Sequence, residues 1–130
     1  MSSDRPTEQL AILVWAADPS RPELCATPFY FAAAAAAMDV NVEMYFTARS
    51  VELLREGTAE SLEAARNRGK SVAEFREEAL AMGVRMFACP TALISHDIPA
   101  GELIPRLAGQ AGAAAYLGRA LDPAWRTLGF

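Results

Sequence analysis

Apolar runs of strand length recur along this chain, with polar and helical segments between them. Residues 10–16 form a continuous apolar run, as expected of a strand that is buried on both faces. Residues 40–47 first alternate between apolar and polar side chains and then become apolar, which predicts a second strand nearer the edge of the sheet. Residues 84–88 and 124–130 predict a third strand and a last short strand.

Helix signals lie between the predicted strands. Thr27 is followed by proline, which predicts an N-cap and first turn, and residues 29–38 then supply an alanine-rich helix. Ser71 and Glu74 have the spacing of a capping box, which predicts a helix that continues to Met82. Further helices are predicted over residues 51–55, 91–95 and 103–121.

The order of these elements predicts the fold class. Strands that alternate with helices at this spacing imply an α/β fold in which helices cover both faces of a parallel sheet. Right-handed crossovers then place the carboxyl ends of all strands at one edge. The length suffices for a single domain over residues 1–130, with residues 1–8 as a flexible N-terminus. Residues 58–70 carry a polar helical pattern, and we interpret them as an exposed insertion.

Composition and charge exclude several classes of protein. Apolar residues make up 52% of the chain and charged residues 22%, which is typical of a globular domain. The formal charge is -4 and Lys70 is the sole lysine, so the chain has no basic stripe, and we expect no direct nucleic-acid ligand. The longest apolar stretch, residues 29–38, is too short to cross a bilayer, so we expect no membrane span.

Cysteine and histidine usage limits the chemistry further. Cys25 and Cys89 are too few for a disulfide framework, and with a single histidine they do not form a zinc-binding pattern. We therefore expect no metal and no cofactor. Residues 1–8 are polar and lack the pattern of a signal peptide, and free thiols persist in reducing compartments. The sequence thus predicts a cytoplasmic protein.

Cys89 is the first candidate for chemistry. It follows the predicted third strand directly and Pro90 comes next, so its thiol lies at the carboxyl end of a strand. Ligands collect at this edge of a parallel sheet, and helix N-terminal amides there favour a thiolate. Free cysteine also serves as a small buried hydrophobe at the end of a core strand. The spacing alone leaves both interpretations open.

Several segments together resemble the DsrE/DsrF-like family. They extend over nearly the whole chain and comprise the first strand with its Asp-Pro loop, the alanine-rich helix, residues 42–46 followed by Val51-Glu52-Leu53-Leu54, the strand into Cys89, residues 97–105, and the closing Leu128-Gly129-Phe130. The resemblance implies a three-layer α/β/α fold with a mostly parallel sheet of about five strands. It also implies a homotrimer, a homohexamer or a hetero-oligomer with related subunits.

The same resemblance implies a function. Sulfur-relay members of the family carry sulfane sulfur as a persulfide on a cysteine at the end of a strand, and Cys89 matches that position. As thiolate, it would take the outer sulfur from a donor protein and pass it to the thiol of an acceptor protein. Such members tend to have arginines about six or seven residues after the cysteine, a feature that favours the thiolate. This chain has Ser95, His96 and Asp97 there, which reduces the positive charge.

Other polar side chains are weaker candidates. Cys25 is either a resolving thiol or second sulfur acceptor, or a packing residue ahead of a helix, and we favour packing. His96 is either a cation or proton donor near Cys89, or a loop histidine without a partner, and we favour the loop histidine. Asp18 and Arg49 follow the first two strands and could line the same cleft, although charged loop residues are most often solvated.

A second hypothesis is a non-catalytic oligomeric module that binds a small molecule or serves in assembly. The alanine- and glycine-rich residues 109–115 would permit close packing of subunits. Residues 17–24 contain no glycine, so the phosphate-binding fingerprint of dinucleotide-binding folds is missing after the first strand. A disulfide oxidoreductase would need a C-x-x-C motif or a clear resolving pair, and neither occurs in the sequence.

Overall fold

The computed structural model describes residues 7–64 and 69–130 of the chain. Its centre is a five-stranded sheet in which every neighbouring pair is parallel and the strand order is β4-β3-β2-β1-β5. The strands are β1 Gln9–Val14, β2 Asn41–Phe46, β3 Arg85–Ala88, β4 Gly109–Gln110 and β5 Trp125–Gly129. The predicted parallel sheet of about five strands is therefore confirmed.

Four α-helices connect or follow these strands. They are α1 Ala26–Ala37, α2 Val72–Ala81, α3 Pro90–Ser95 and α4 Ala113–Ala120. Short 3-10 helices occupy Pro22–Leu24, Ala48–Leu54, Ala59–Ser61 and Ala100–Glu102. No helix in the described ranges is long and apolar enough to cross a membrane.

The helices form a layer on each side of the sheet, as expected for a three-layer α/β/α fold. On one side the larger core joins α1 and α2 to the strands, and the ring of Phe29 stacks on Phe46 at 5.6 Å between centroids. On the other side α4 covers a smaller core that is centred on Ala11, Tyr45 and Trp125, through Tyr116. Strand residues alternate between these two cores, as the two-residue period of a strand requires.

The position of β2 corrects one prediction. We expected this strand nearer the edge, but it is the central strand of the sheet. The polar residue that suggested an edge, Glu43, is only 1% exposed and pairs with Arg85 and Arg119. Because a buried carboxylate is tolerated when it is paired and hydrogen-bonded, its polarity did not mark a solvent-exposed face.

The two helix starts predicted from capping signals have different outcomes. The capping box is confirmed, because Ser71 Oγ accepts from the Glu74 amide at 3.2 Å and Glu74 accepts from the Ser71 amide at 2.8 Å. The Thr27 cap is wrong, because α1 begins at Ala26 with Cys25 as its N-cap. The preceding 3-10 turn leads directly into the helix, since the Cys25 amide donates to Pro22 O at 3.1 Å and Cys25 has helical backbone angles.

The helix predicted over residues 103–121 is confirmed over its last part, where α4 lies, and is wrong over residues 103–112. Residues 108–111 instead extend beside β3, where the Ala108 and Ala111 amides donate to Met86 O and Ala88 O. Gly109 has a φ of 153° and Gly112 is extended, so the chain turns into α4 only at Ala113. The apolar spacing that suggested a helix belongs to an edge strand followed by a shorter helix. The short helix predicted over residues 51–55 is part of the 3-10 helix Ala48–Leu54.

The segment interpreted as an insertion is described only in part. Its first residues form the 3-10 helix Ala59–Ser61, in which Ala59 is fully buried. The Ala64 amide donates to Lys70 O at 2.9 Å, which joins the middle of the segment to its last residue. Residues 65–68 lie outside the described residues, as do residues 1–6 of the N-terminus that we predicted to be flexible.

Candidate functional site

Cys89 lies where β3 gives way to α3. Its amide donates to Phe46 O of the central strand at 2.9 Å, and its carbonyl accepts the Leu93 amide at 3.0 Å as the first bond of the helix. The residue is the N-cap of α3, with Pro90 at the first helical position. Cys89 is 9% exposed and therefore stands at the margin of the core.

A cavity of about 270 Å³ opens beside this thiol, between the carboxyl ends of β1 and β2 and the start of α4. Most of its wall is aliphatic, aromatic or glycine and is formed by Leu13, Phe46, Ala111, Gly112, Ala113 and Leu117. Thr47, Tyr45, Tyr116 and Cys89 complete it. Cys89 is thus part of the wall of an apolar cavity.

The residue directly before α4 is a part of the wall that lies near the sulfur. Gly112 is the N-cap of α4, and a Cβ atom built on it would stand 3.6 Å from Cys89 Sγ and 3.7 Å from Pro90 Cδ. No side chain caps this helix, so its first amides have no side-chain acceptor. The amino-terminal end of this eight-residue helix therefore lies near the thiol.

Sequence reasoning missed this contribution because it placed Gly112 inside a continuous helix. The contact arises from β4, whose pairing with β3 carries the following residues back to the strand end that holds Cys89. Pro105 and two glycines at positions 109 and 112 were the available signal, since both residue types interrupt helices.

A buried charge cluster lies next to one wall of the cavity and is centred on Glu43. Tyr45, which lines the cavity, donates its hydroxyl to Glu43 Oε1 at 2.7 Å. Arg85 and Arg119 bind the same carboxylate at 3.1 and 3.0 Å. Burial raises the pKa of the Tyr45 phenol and its bond to Glu43 raises it further, so this hydroxyl stays protonated and keeps donating. The cluster fixes one aromatic wall of the cavity.

Cys25 occupies a different environment. It is fully buried, and its Sγ donates to Asp18 O at 3.2 Å. Burial raises the pKa of this thiol to about 11, which disfavours a thiolate near neutral pH. Cys25 is the N-cap of α1 and is not among the described residues that line the Cys89 cavity, although both cysteines belong to the larger core. The structure therefore does not bring the two cysteines together at the cavity.

His96 ends α3, at the opposite end of that helix from Cys89. Its amide donates to Ala92 O at 3.0 Å, and it does not line the cavity among the described residues. The Ser20 amide, bonded to Asp18 Oδ1 at 2.9 Å, lowers the pKa of Asp18, and the charges of Arg49 and His96 lower it further. These charged groups share the carboxyl edge of the sheet without entering the cavity.

The described residues contain no group of three or more histidine, cysteine, aspartate or glutamate side chains placed to hold a metal ion. The site therefore consists of one thiol, a helix N-terminus and an apolar cavity.

Fold and site together define an α/β/α protein with a cysteine at a strand end on the ligand-binding edge of a parallel sheet. The family model of the DsrE/DsrF-like family matches residues 10–130. The chain belongs to this family, as its segments predicted. A search of curated proteins finds no match.

Several solved structures share the fold, among them two proteins of low sequence identity to this chain. The YchN protein from E. coli is 14% identical with a TM-score of 0.74, and the match covers 96% of this chain and 100% of that one. MTH1491 from Methanobacterium thermoautotrophicum, described as a protein of unknown function, is 16% identical with a TM-score of 0.68, and the match covers 95% and 99% of the two chains. At this identity the likeness establishes the fold.

Proposed function

We propose that this protein is a sulfur-relay protein that carries sulfane sulfur as a persulfide on Cys89. The Cys89 thiolate attacks the outer sulfur of a donor persulfide, R–S–SH, and releases R–S⁻. The carried sulfur is then attacked by an acceptor thiolate, and Cys89 leaves as thiolate. Each step breaks one S–S bond and forms another, so the cycle needs no external oxidant or reductant.

One observation supports this proposal above the others, namely the Cys89 sulfur in the wall of an open cavity and against the N-terminus of α4. A carrier thiol must be reachable, and Cys89 is reached through the cavity. It must also be available as thiolate, and helix amides lower the free energy of that anion. Membership of the DsrE/DsrF-like family agrees with this role.

The start of α4 takes the place of the arginines that sulfur-carrying relatives tend to have after the cysteine. The corresponding positions here, Ser95 to Asp97, end α3 and turn away from its N-cap. A helix N-terminus carries about half an elementary charge, so it supplies part of what an arginine would supply. We assign Cys25 a packing role and His96 no direct contact with the carried sulfur.

The remaining parts of the proposal concern partners. We propose sulfur donor and acceptor proteins in the cytoplasm, and a homotrimer, a homohexamer or a hetero-oligomer with related subunits. Support comes from α1, which has no charged residue over its length and exposes Tyr30, Phe31 and Met38. Exposed apolar patches of this kind mark surfaces that contact other proteins.

The decisive experiment is intact-mass analysis after incubation with a persulfide donor. Wild-type protein is compared with Cys89→Ser and with Cys25→Ser as the matched control, and His96→Ala is included. We expect the mass of one added sulfur atom in wild type, Cys25→Ser and His96→Ala, and its loss in Cys89→Ser. Equal labelling of both cysteine variants, or no labelling of wild type, would contradict the proposal.

The alternative function is a non-catalytic module that binds a small molecule. The cavity itself favours it, since an apolar pocket at the carboxyl edge of a parallel sheet can hold a ligand without any chemistry at its wall. In that case Cys89→Ser would leave ligand binding intact and wild type would gain no sulfur. The mass experiment therefore separates the two functions.

A further inference from the structure

The cavity beside Cys89 points to the class of molecule that exchanges sulfur there. We propose that the thiol of the donor or acceptor protein that enters this cavity is flanked by uncharged, apolar groups. This inference rests on the proposed function, because the same sulfur atom reacts. It names the substrate class, which neither the family nor the fold specifies.

The wall of the cavity contains no charged residue within the part of the chain that the structure describes. Its polar members are one threonine hydroxyl, two phenols and the thiol. Of the phenols, Tyr45 already donates its hydroxyl to Glu43 at 2.7 Å. A carboxylate on an entering molecule would lose water and meet no cation, and such a loss is costly in free energy.

Two arginines close to the cavity are committed to a buried carboxylate, and Arg49, which lies at the same edge of the sheet, is not part of the described cavity wall. Arg85 and Arg119 both bind Glu43, and Arg119 also lies over the ring of Trp125 with 4.3 Å between its guanidinium and the centroid. Both arginines lie next to Glu43 near the start of β2, whereas the cavity lies at the end of that strand. They therefore stabilise the buried carboxylate and leave the cavity neutral.

The amino-terminal end of α4 is an electropositive element near the sulfur: a Cβ atom built on its N-cap residue, Gly112, would be in van der Waals contact with Cys89 Sγ at 3.6 Å. In the transfer step, Cys89–S–SH and R–S⁻ give Cys89–S⁻ and R–S–SH, so negative charge moves between sulfur atoms beside this helix. Charge on sulfur is stabilised, whereas charge on the group R is not.

The first test uses two alkylating reagents of nearly equal size. In a Cys25→Ser background, the rate constants for Cys89 with neutral iodoacetamide and with anionic iodoacetate are measured in the folded protein and in urea. We expect the ratio of the neutral to the anionic rate to be roughly tenfold higher in the folded protein, because an unpaired carboxylate is poorly accommodated in an apolar cavity. Equal ratios in the two states would overturn the inference.

Two arginine substitutions, one in the middle of α4 and one at its C-cap, serve as matched variants. Leu117 lines the cavity, whereas Leu121 is more exposed and lies outside its wall. Leu117→Arg should remove most of the preference for iodoacetamide, and Leu121→Arg, which changes the net charge equally, should retain it. The inference fails if both variants change the ratio of the two rate constants by the same factor. It also fails if high salt lowers the ratio in the folded protein to its value in urea, because the preference would then reflect the net charge of the protein.

The transfer step is tested separately with the persulfidated protein and two acceptors, 2-mercaptoethanol and mercaptoacetate. Faster transfer to the neutral acceptor, by about the same factor as in alkylation, supports the inference. If a persulfide forms but both acceptors react equally, the inference fails while the proposed function stands. If no persulfide forms while the alkylation preference persists, the proposed function fails. The inference about the reacting thiol then fails with it, because it depends on that function.

Discussion

Replacing Glu43 is the sharpest test of how this sheet tolerates a buried charge. The carboxylate receives hydrogen bonds from Tyr45 at 2.7 Å, from Arg85 at 3.1 Å and from Arg119 at 3.0 and 3.3 Å. Glu43→Ala removes all of these acceptors at once. The consequence depends on which donors can return to water.

The two arginines recover much of their hydration, because their side chains are 55% and 40% exposed. Tyr45 cannot, since it is 4% exposed, and a buried hydroxyl without a partner costs about 1–3 kcal/mol. The lost ion pairs, discounted for solvent, and the space left by the side chain each add about 1 kcal/mol. We therefore expect Glu43→Ala to lower the free energy of unfolding by about 3–5 kcal/mol.

Urea unfolding followed by circular dichroism measures this change, with Glu43→Gln and Glu23→Ala as companion variants. Glutamine keeps an acceptor for Tyr45, so its loss should be smaller, about 1–2 kcal/mol. Glu23 pairs with Arg21 at 3.5 Å while both side chains are largely exposed, so its loss should stay below about 0.5 kcal/mol. A Glu43→Ala protein within about 1 kcal/mol of wild type would refute the argument that Tyr45 depends on this carboxylate.

Two further predictions concern the cysteines. Because the folded pKa of Cys25 is raised to about 11, above its ordinary value of 9.0, the free energy of unfolding should fall as pH rises from 9 towards 11 and stay level below 9. Cys25→Ser should lack this decline in urea unfolding, and an equal decline in both proteins would contradict it. Gly112→Val should slow alkylation of Cys89 by iodoacetamide about tenfold, because the new side chain starts 3.6 Å from Sγ. Gly118→Val is its control, since a Cβ there meets no atom within 4 Å, and equal rates for the two variants would disprove the steric argument.

Local signals in the sequence predicted the elements that local physics controls. The apolar run at residues 10–16 overlaps β1 over residues 10–14, and the capping box at Ser71 and Glu74 starts α2. The proline after Cys89 placed that residue at the junction of a strand and a helix, because proline fits the first helical turn. Each of these features depends on residues within a few positions of one another.

Features that depend on distant partners were not predictable in the same way. Glu43 appeared to mark an edge strand, yet its burial depends on Arg85 and Arg119, which are 42 and 76 residues further along the chain. The contact between Gly112 and Cys89 likewise requires β4 to pair with β3. A periodicity argument does not include such pairings, so the cavity and its charge balance became visible only in the folded chain.

The brevity of β4 has a consequence for access to the sulfur. This strand is two residues long and forms one edge of the sheet, with the Ala108 and Ala111 amides as its neighbouring bonds to β3. Edge segments with few hydrogen bonds open locally at a lower free-energy cost than the core around them. Backbone amides of residues 108–111 should therefore exchange with deuterium faster than those of β1 and β2. Because the same segment delivers α4 to Cys89, its fraying would widen the entrance without unfolding the central strands.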